Sequence, residues 1–213
     1  MKIIFDIGAN KGQNFKYFFE KSDLVIAFEA NPNLVEKIKL EFKQFIKEKK
    51  LIVVNVALSD KKKNKKIKFY ISKENDLLST CYPDNKNNFY KKDIRCEKAS
   101  FLIKKYLKIF KISKIEYIKI DIEGSDHLIL EDLLKNRILA ENLSVESYEH
   151  EVIELLLNSS YKSFKFVEGE NLSLKKNIKI NTKRNKKRLF NFDVHSSGPY
   201  GDDIPGNYFG KES

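Results

Sequence analysis

The chain is short of cysteine, arginine and histidine, and each shortage closes off an explanation. Two cysteines, Cys81 and Cys96, are too few for a disulfide framework and read as reduced thiols. No stretch approaches the ~20 uncharged apolar residues of a membrane span. Lys2, a few apolar residues and then Asp6 do not make a signal peptide, so a cytoplasmic location is expected. The formal charge of +11 is almost entirely lysine. Only Arg95, Arg137, Arg184 and Arg188 offer the forked contacts with which arginine reads phosphate. The densest basic runs, residues 61–66 and 183–188, read as solvated loops between apolar segments. Nucleic acid is therefore not the expected partner, although attraction to an anionic substrate stays open.

What is present suits one α/β domain. At 213 residues, 41% hydrophobic and 33% charged, the chain can bury a core without staples. Residues 2–5 form an apolar run that stops at glycines, the mark of a buried parallel strand. Phe15, Phe18 and Phe19 follow at helical spacing, and residues 24–28 make a second strand. Asn31-Pro32 then opens a helix, with Asn31 as cap. Residues 51–58 predict a third strand, and Ile67, Phe69 and Ile71 alternate as in a one-sided strand. Residues 74–95 have no clear period and are expected to form a long loop. A helix over 99–110, a buried strand over 115–122, a helix over 126–137, a strand starting at 143 and a helix over 150–158 complete the alternation. Residues 161–167 and 189–194 are expected to form a final antiparallel pair. The pattern predicts a doubly wound, mostly parallel sheet with right-handed crossovers. Residues 1–195 would form the domain, and 196–213 a Gly/Pro-rich tail able to cover a pocket.

The first turn carries the most information. Asp6-Ile7-Gly8-Ala9-Asn10-Lys11-Gly12 leaves a strand for a helix, and the next strand ends on Glu29. A dinucleotide turn wants G-x-G-x-x-G, yet its second and third glycines fall here on Asn10 and Gln13. No Gly-Lys-Ser/Thr follows, so a P-loop is absent too. The turn glycines let backbone approach a ligand, and a strand-end carboxylate can accept from a ribose diol. A ligand with a ribose but no phosphate fits these parts, and S-adenosylmethionine is one.

At this point the chain resembles the FkbM-type family of S-adenosylmethionine-dependent methyltransferases. The likeness rests on residues 5–12 (FDIGANKG), 27–32 (AFEANP), 55–60 (NVALSD) and 118–126 (IKIDIEGSD), which occur in family order. It implies a class I methyltransferase with a seven-stranded sheet whose last strand is antiparallel, acting on hydroxyls of sugars, glycans or other small metabolites. It further implies Asp6, Gly8, Asn10 and Gly12 beneath the methionine and ribose of the cofactor, Glu29 on the ribose, and Ala57 beside adenine. Family members often carry a segment ahead of the glycine turn, so acceptor-covering parts are expected here from later loops.

Asp121 falls at the carboxyl end of a buried strand, where α/β sheets place their ligands. It can accept the acceptor's proton or orient the cofactor's ammonium. Asp126 reads rather as a helix cap, and Glu146 as a buried, paired carboxylate. Of the three histidines, His150 and His195 lie at strand ends and join Asp121 as candidate bases. Asp121, Glu123, Asp126 and His127 do not make a specific metal pattern, and no metal is expected. Two further readings remain: RNA ribose methylation, suggested by the basic charge, and a binding module without transfer activity. Base-amine methylation is disfavoured, because Asp121-Ile122-Glu123-Gly124 stands where N/D-P-P-Y/F would be needed.

Overall fold

A computed structural model of the chain describes residues 1–60, 65–73, 79–80, 88–122, 124–146, 150–168 and 176–210. The elements run β1 (Ile3–Ile7), α1 (Phe15–Lys21), β2 (Leu24–Glu29), α2 (Pro32–Glu41), α3 (Lys43–Lys47), β3 (Leu51–Asn55), β4 (Ala57–Ser59), β5 (Lys65–Ser72) and β6 (Phe89–Lys98). They continue with α4 (Ala99–Ile109), β7 (Ile115–Ile120), α5 (Asp126–Lys135), β8 (Ala140–Val145), α6 (His150–Leu157), β9 (Ser163–Phe164), β10 (Ile178–Asn181), β11 (Lys187–Phe190) and β12 (Phe209–Gly210).

Five strands form the central sheet in the order β3-β2-β1-β7-β8, every neighbouring pair parallel. Strands β1, β2 and β7 are buried along their whole length, as a sheet covered on both faces requires. Side chains alternate between the faces. Ile3, Phe5, Ile7, Phe28 and Ile118 pack with Leu102 and Ile103 of α4, Leu130 and Leu133 of α5 and Val152 of α6. Ile4, Val25, Ala27 and Tyr117 pack on the other side with Phe15, Tyr17 and Phe18 of α1, Ile38 of α2, and Ile178, Ile180 and Tyr200. The α2 start is capped as the sequence predicts: Asn31 Oδ1 accepts from the Asn33 amide at 3.0 Å.

The expected seven-stranded sheet is corrected to five parallel strands among the described residues. The apolar run 51–58 is two strands rather than one. Val56 donates its amide to Glu29 O at 3.0 Å, and β4 then leaves the main sheet. It pairs in parallel with β6, which pairs antiparallel with β5. Residues 89–98, of which 89–95 were expected as loop, thus form the middle strand of a second, three-stranded sheet. The expected terminal pair is also re-partnered: β11 joins β10, and β9 joins β12. The β10–β11 hairpin has one apolar face, with Ile178 and Ile180 buried and Lys179 and Asn181 exposed. A strand inserted in the sheet must bury both faces, so this hairpin lies flat on the helical layer instead.

Residues 196–204 are an integral part of the packing. Tyr200 stacks on Tyr117 with ring centroids 3.9 Å apart. Asp203, fully buried, accepts from the Tyr17 hydroxyl and the Lys21 ammonium at 2.8 Å, and from the Asn181 amide at 2.8 Å.

Candidate active site

The chain passes from β1 to β2 on one side of the sheet and reaches β7 on the other. The crevice beyond the carboxyl ends of β1 and β7 is therefore a topological switch point. Two features open it. Gly8 has φ +82°, and a Cβ there would sit 1.7 Å from the Asp121 carbonyl oxygen. The ends of β1 and β7 can approach so closely only with glycine at that position. Asn10 follows with φ 49°, a left-handed conformation that asparagine tolerates better than other non-glycine residues.

The turn closes on Glu29. The Asn10 amide donates to Glu29 Oε2 at 2.8 Å, and the Asn31 amide donates to Oε1 at 2.7 Å. Each carboxylate oxygen keeps a second lone pair. Burial pushes the Glu29 carboxyl up to about 7, although the two amides act against that shift. Asn10 Oδ1 is buried and accepts no hydrogen bond.

Beneath the turn lies a charge the sequence reading did not single out. Lys119, buried in β7, donates from Nζ to the Gly8 carbonyl at 2.9 Å and meets Asp121 Oδ2 at 3.1 Å and Asp6 Oδ1 at 3.4 Å. Asp6 and Lys119 are register partners across β1 and β7. Neither Asp6 oxygen has hydrogen-bond geometry, so the Asp6 contact is an ion pair alone. Burial lifts the Asp6 carboxyl to about 6 despite Lys119. Burial alone would lower the lysine, but Asp121 and Asp6 outweigh it and hold the ammonium charged. The available signal was one lysine inside the apolar run Ile115–Ile120, two residues before Asp121. A lysine there has to be paired.

Gly8, Asn10, Glu29, Ala57, Asp121 and His195 all line one cleft, together with Lys119 and Ser197. The second sheet supplies its apolar wall through Ala57, Phe69 and Cys96, and α5 supplies Leu128 and Ile129. His195 has φ 62° and is exposed at the rim. Reciprocal hydrogen bonds fix its neighbourhood: Ser197 N donates to Asn14 Oδ1 at 2.9 Å, and Asn14 Nδ2 to Ser197 Oγ at 3.3 Å.

Three expected site residues are not part of the cleft wall. Asp6 lies fully buried beneath it, facing Lys119. Gly12 is a packing residue: its own Cβ would meet the Phe15 ring at 2.7 Å. His150 opens α6 and is exposed outside the cleft. Asp126 accepts from the Ile122 amide at 3.0 Å and the Gly124 amide at 3.4 Å. It is the first residue of α5, after the N-cap Ser125, so it staples the turn before the helix rather than serving as the expected cap. Glu146 stands one residue past β8 and is half-buried rather than inside the strand. Glu123, Cys81 and most of residues 74–88 lie outside the described residues. Among the described residues, no three His, Cys, Asp or Glu side chains gather as metal ligands. Among them too, no helix is long and apolar enough to cross a membrane.

A parallel sheet with a glycine-opened switch point and an acidic second strand end defines a Rossmann-like α/β domain with a cleft at that switch point. The family is shown by the match to the Methyltransferase FkbM domain over residues 6–168, and the chain belongs to that family. The chain is also similar to the crystal structure of Methyltransferase FkbM from Methylobacillus flagellatus KT, at 14% identity with a TM-score of 0.44. That likeness covers 73% of this chain and 36% of the other, so the chain spans about a third of that protein's length. No curated protein matches the chain.

Proposed function

We propose that the chain is an S-adenosylmethionine-dependent O-methyltransferase acting on a hydroxyl of a sugar, glycan or small metabolite. The observation that carries this is the charge of the cleft. Its walls hold the carboxylates of Glu29 and Asp121, and the lysine among them, Lys119, is already ion-paired. Such a surface disfavours a phosphate and favours a cationic nucleoside.

The residues fit that cofactor. Glu29 retains lone pairs for ribose hydroxyls, and the buried Asn10 Oδ1 offers an unused acceptor. Gly8 lets a ligand lie against the bare backbone of the turn, and Ala57 leaves room for a flat ring on the apolar wall. When bound, S-adenosylmethionine supplies an electrophilic methyl on a cationic sulfur. The chain's own work is alignment and proton handling. Asp121, one-third exposed into the cleft and tethered by Lys119, can accept the acceptor's proton or hold an ammonium. His195 stands at the rim as a second acceptor of that proton, carried by a tail segment that covers the acceptor side.

Calorimetry with S-adenosylmethionine, followed by transfer of labelled methyl to a panel of sugars and small alcohols, tests the reading. The expected result is one-to-one binding and label in an alkali-stable ether. No heat on titration refutes the cofactor assignment. Heat accompanied by label only in RNA refutes the acceptor assignment.

A further inference from the structure

A second concavity lies at the opposite end of the sheet. Its floor is Phe19 of α1 and Phe45 of α3, stacked at 4.0 Å and 9° and both half-buried. Its rim is Lys50, just before β3, and the tip of the β10–β11 hairpin. Because strands five or six residues long separate it from the active-site cleft, the two sites are about 20 Å apart.

The hairpin tip is held in place. Thr182 N donates to Lys186 O at 2.8 Å and Asn185 N to Thr182 O at 2.9 Å, with Asn185 at φ 57°. Lys183 N donates to Glu20 O at 2.7 Å, and Lys183 Nζ to Ser22 O at 2.7 Å. The turn is thereby clamped to the end of α1. Of its cations, Arg188 is balanced by Glu20 and Lys183 by Asp23, while Lys50 pairs with Glu48. Arg184, Lys186 and Lys187 face no carboxylate among the described residues.

We propose that this concavity is a binding site for a phosphate group carried next to an apolar or planar moiety. Three unbalanced cations on an ordered turn supply the anion contact, and the guanidinium of Arg184 suits the fork of phosphate oxygens. The exposed faces of the Phe19–Phe45 stack supply the apolar contact. On the function proposed above, the labour is divided: nucleoside at the acidic cleft beyond the carboxyl end of the sheet, phosphate at the amino end. The same chemistry arises in a soluble phosphorylated molecule and in a phospholipid headgroup.

The test titrates the full chain with pyrophosphate, with vesicles of phosphatidylglycerol in phosphatidylcholine, and with a single-stranded oligonucleotide. Each probe is also given to the triple variant Arg184→Gln/Lys186→Gln/Lys187→Gln. A control variant, Lys104→Gln/Lys105→Gln/Lys108→Gln, removes the same charge from the exposed face of α4. Saturable binding of pyrophosphate or of the vesicles should shift the Phe19 and Phe45 ring resonances. It should weaken about tenfold in the hairpin variant and stay nearly unchanged in the control. Preference for pyrophosphate identifies a soluble ligand, and preference for vesicles a lipid headgroup. Equal weakening in both variants, binding of the oligonucleotide alone, or no saturable binding overturns the site. Cofactor binding at the other end is untouched by any of these outcomes.

Discussion

Lowering the pH from 8 to 6 should weaken S-adenosylmethionine binding about tenfold, and the cause lies in one side chain. Glu29 is buried, and burial raises its carboxyl from an ordinary 4.5 to about 7. With both oxygens already accepting from backbone amides, the carboxyl has room for two ribose hydroxyls only when ionised, and a cationic ligand favours the same form. If the ionised form alone binds, the competent fraction falls from about nine-tenths at pH 8 to about one-tenth at pH 6. Binding at pH 7 must then expel about half a proton. Calorimetry in buffers of different ionisation enthalpy counts that proton directly. Glu29→Gln should bind weakly and lose the pH dependence. Stability runs in the opposite direction. The folded carboxyl holds a proton that the unfolded chain releases, so Glu29 costs about 3 kcal/mol of stability, a cost that sets in as pH rises from about 4.5 to about 7. Asp6, raised from 3.8 to about 6, adds a similar loss over its own window. An affinity that is flat from pH 6 to 8, with no proton released, refutes the reasoning.

Gly8→Ala should destabilise the fold by about 3 kcal/mol, because the left-handed backbone and the 1.7 Å clash with Asp121 both resist a Cβ; urea denaturation measures it. Asp121→Asn should leave cofactor affinity within a few-fold and the fold intact while cutting turnover by about a hundredfold, and unchanged turnover removes Asp121 from the chemistry. Asp203→Asn should cost about 2 kcal/mol by removing the buried carboxylate that pairs the half-buried Lys21 ammonium. Through the loosened tail it should raise the acceptor KM more than the cofactor Kd, read by steady-state kinetics against calorimetry.

Much of the glycine-turn side of the cleft was legible because its signals are local. A strand followed by Gly8 and Asn10 dictates a left-handed turn, and a second apolar run ending on Glu29 sets a carboxylate beside it, whatever the rest of the chain does. The helix start at Asn31-Pro32 is equally local. The His195 side of the cleft was not legible in this way. His150 and His195 both follow strand-like segments, yet one is exposed on α6 and the other stands over the cleft. The difference lies in where residues 191–204 are pinned, and Tyr17, Lys21 and Asn181 do the pinning from far along the chain. Gly12 and Gly8 look alike in sequence, but one abuts a phenylalanine ring and the other a strand end.

By itself the sequence determined the alternation of strands and helices, the glycine turn, the carboxylate at Glu29 and the family. These are matters of short-range sterics and periodic burial, which each segment settles alone. Tertiary structure decided that five strands rather than seven share the sheet, that Lys119 is wedged between Asp6 and Asp121, and that His195 and Ser197 line the cleft. Those outcomes depend on the register of β1 against β7 and on which partner buries each leftover apolar face. The first joins residues more than a hundred positions apart, and the second joins segments such as β4 with β6 and β9 with β12 that meet only in the fold.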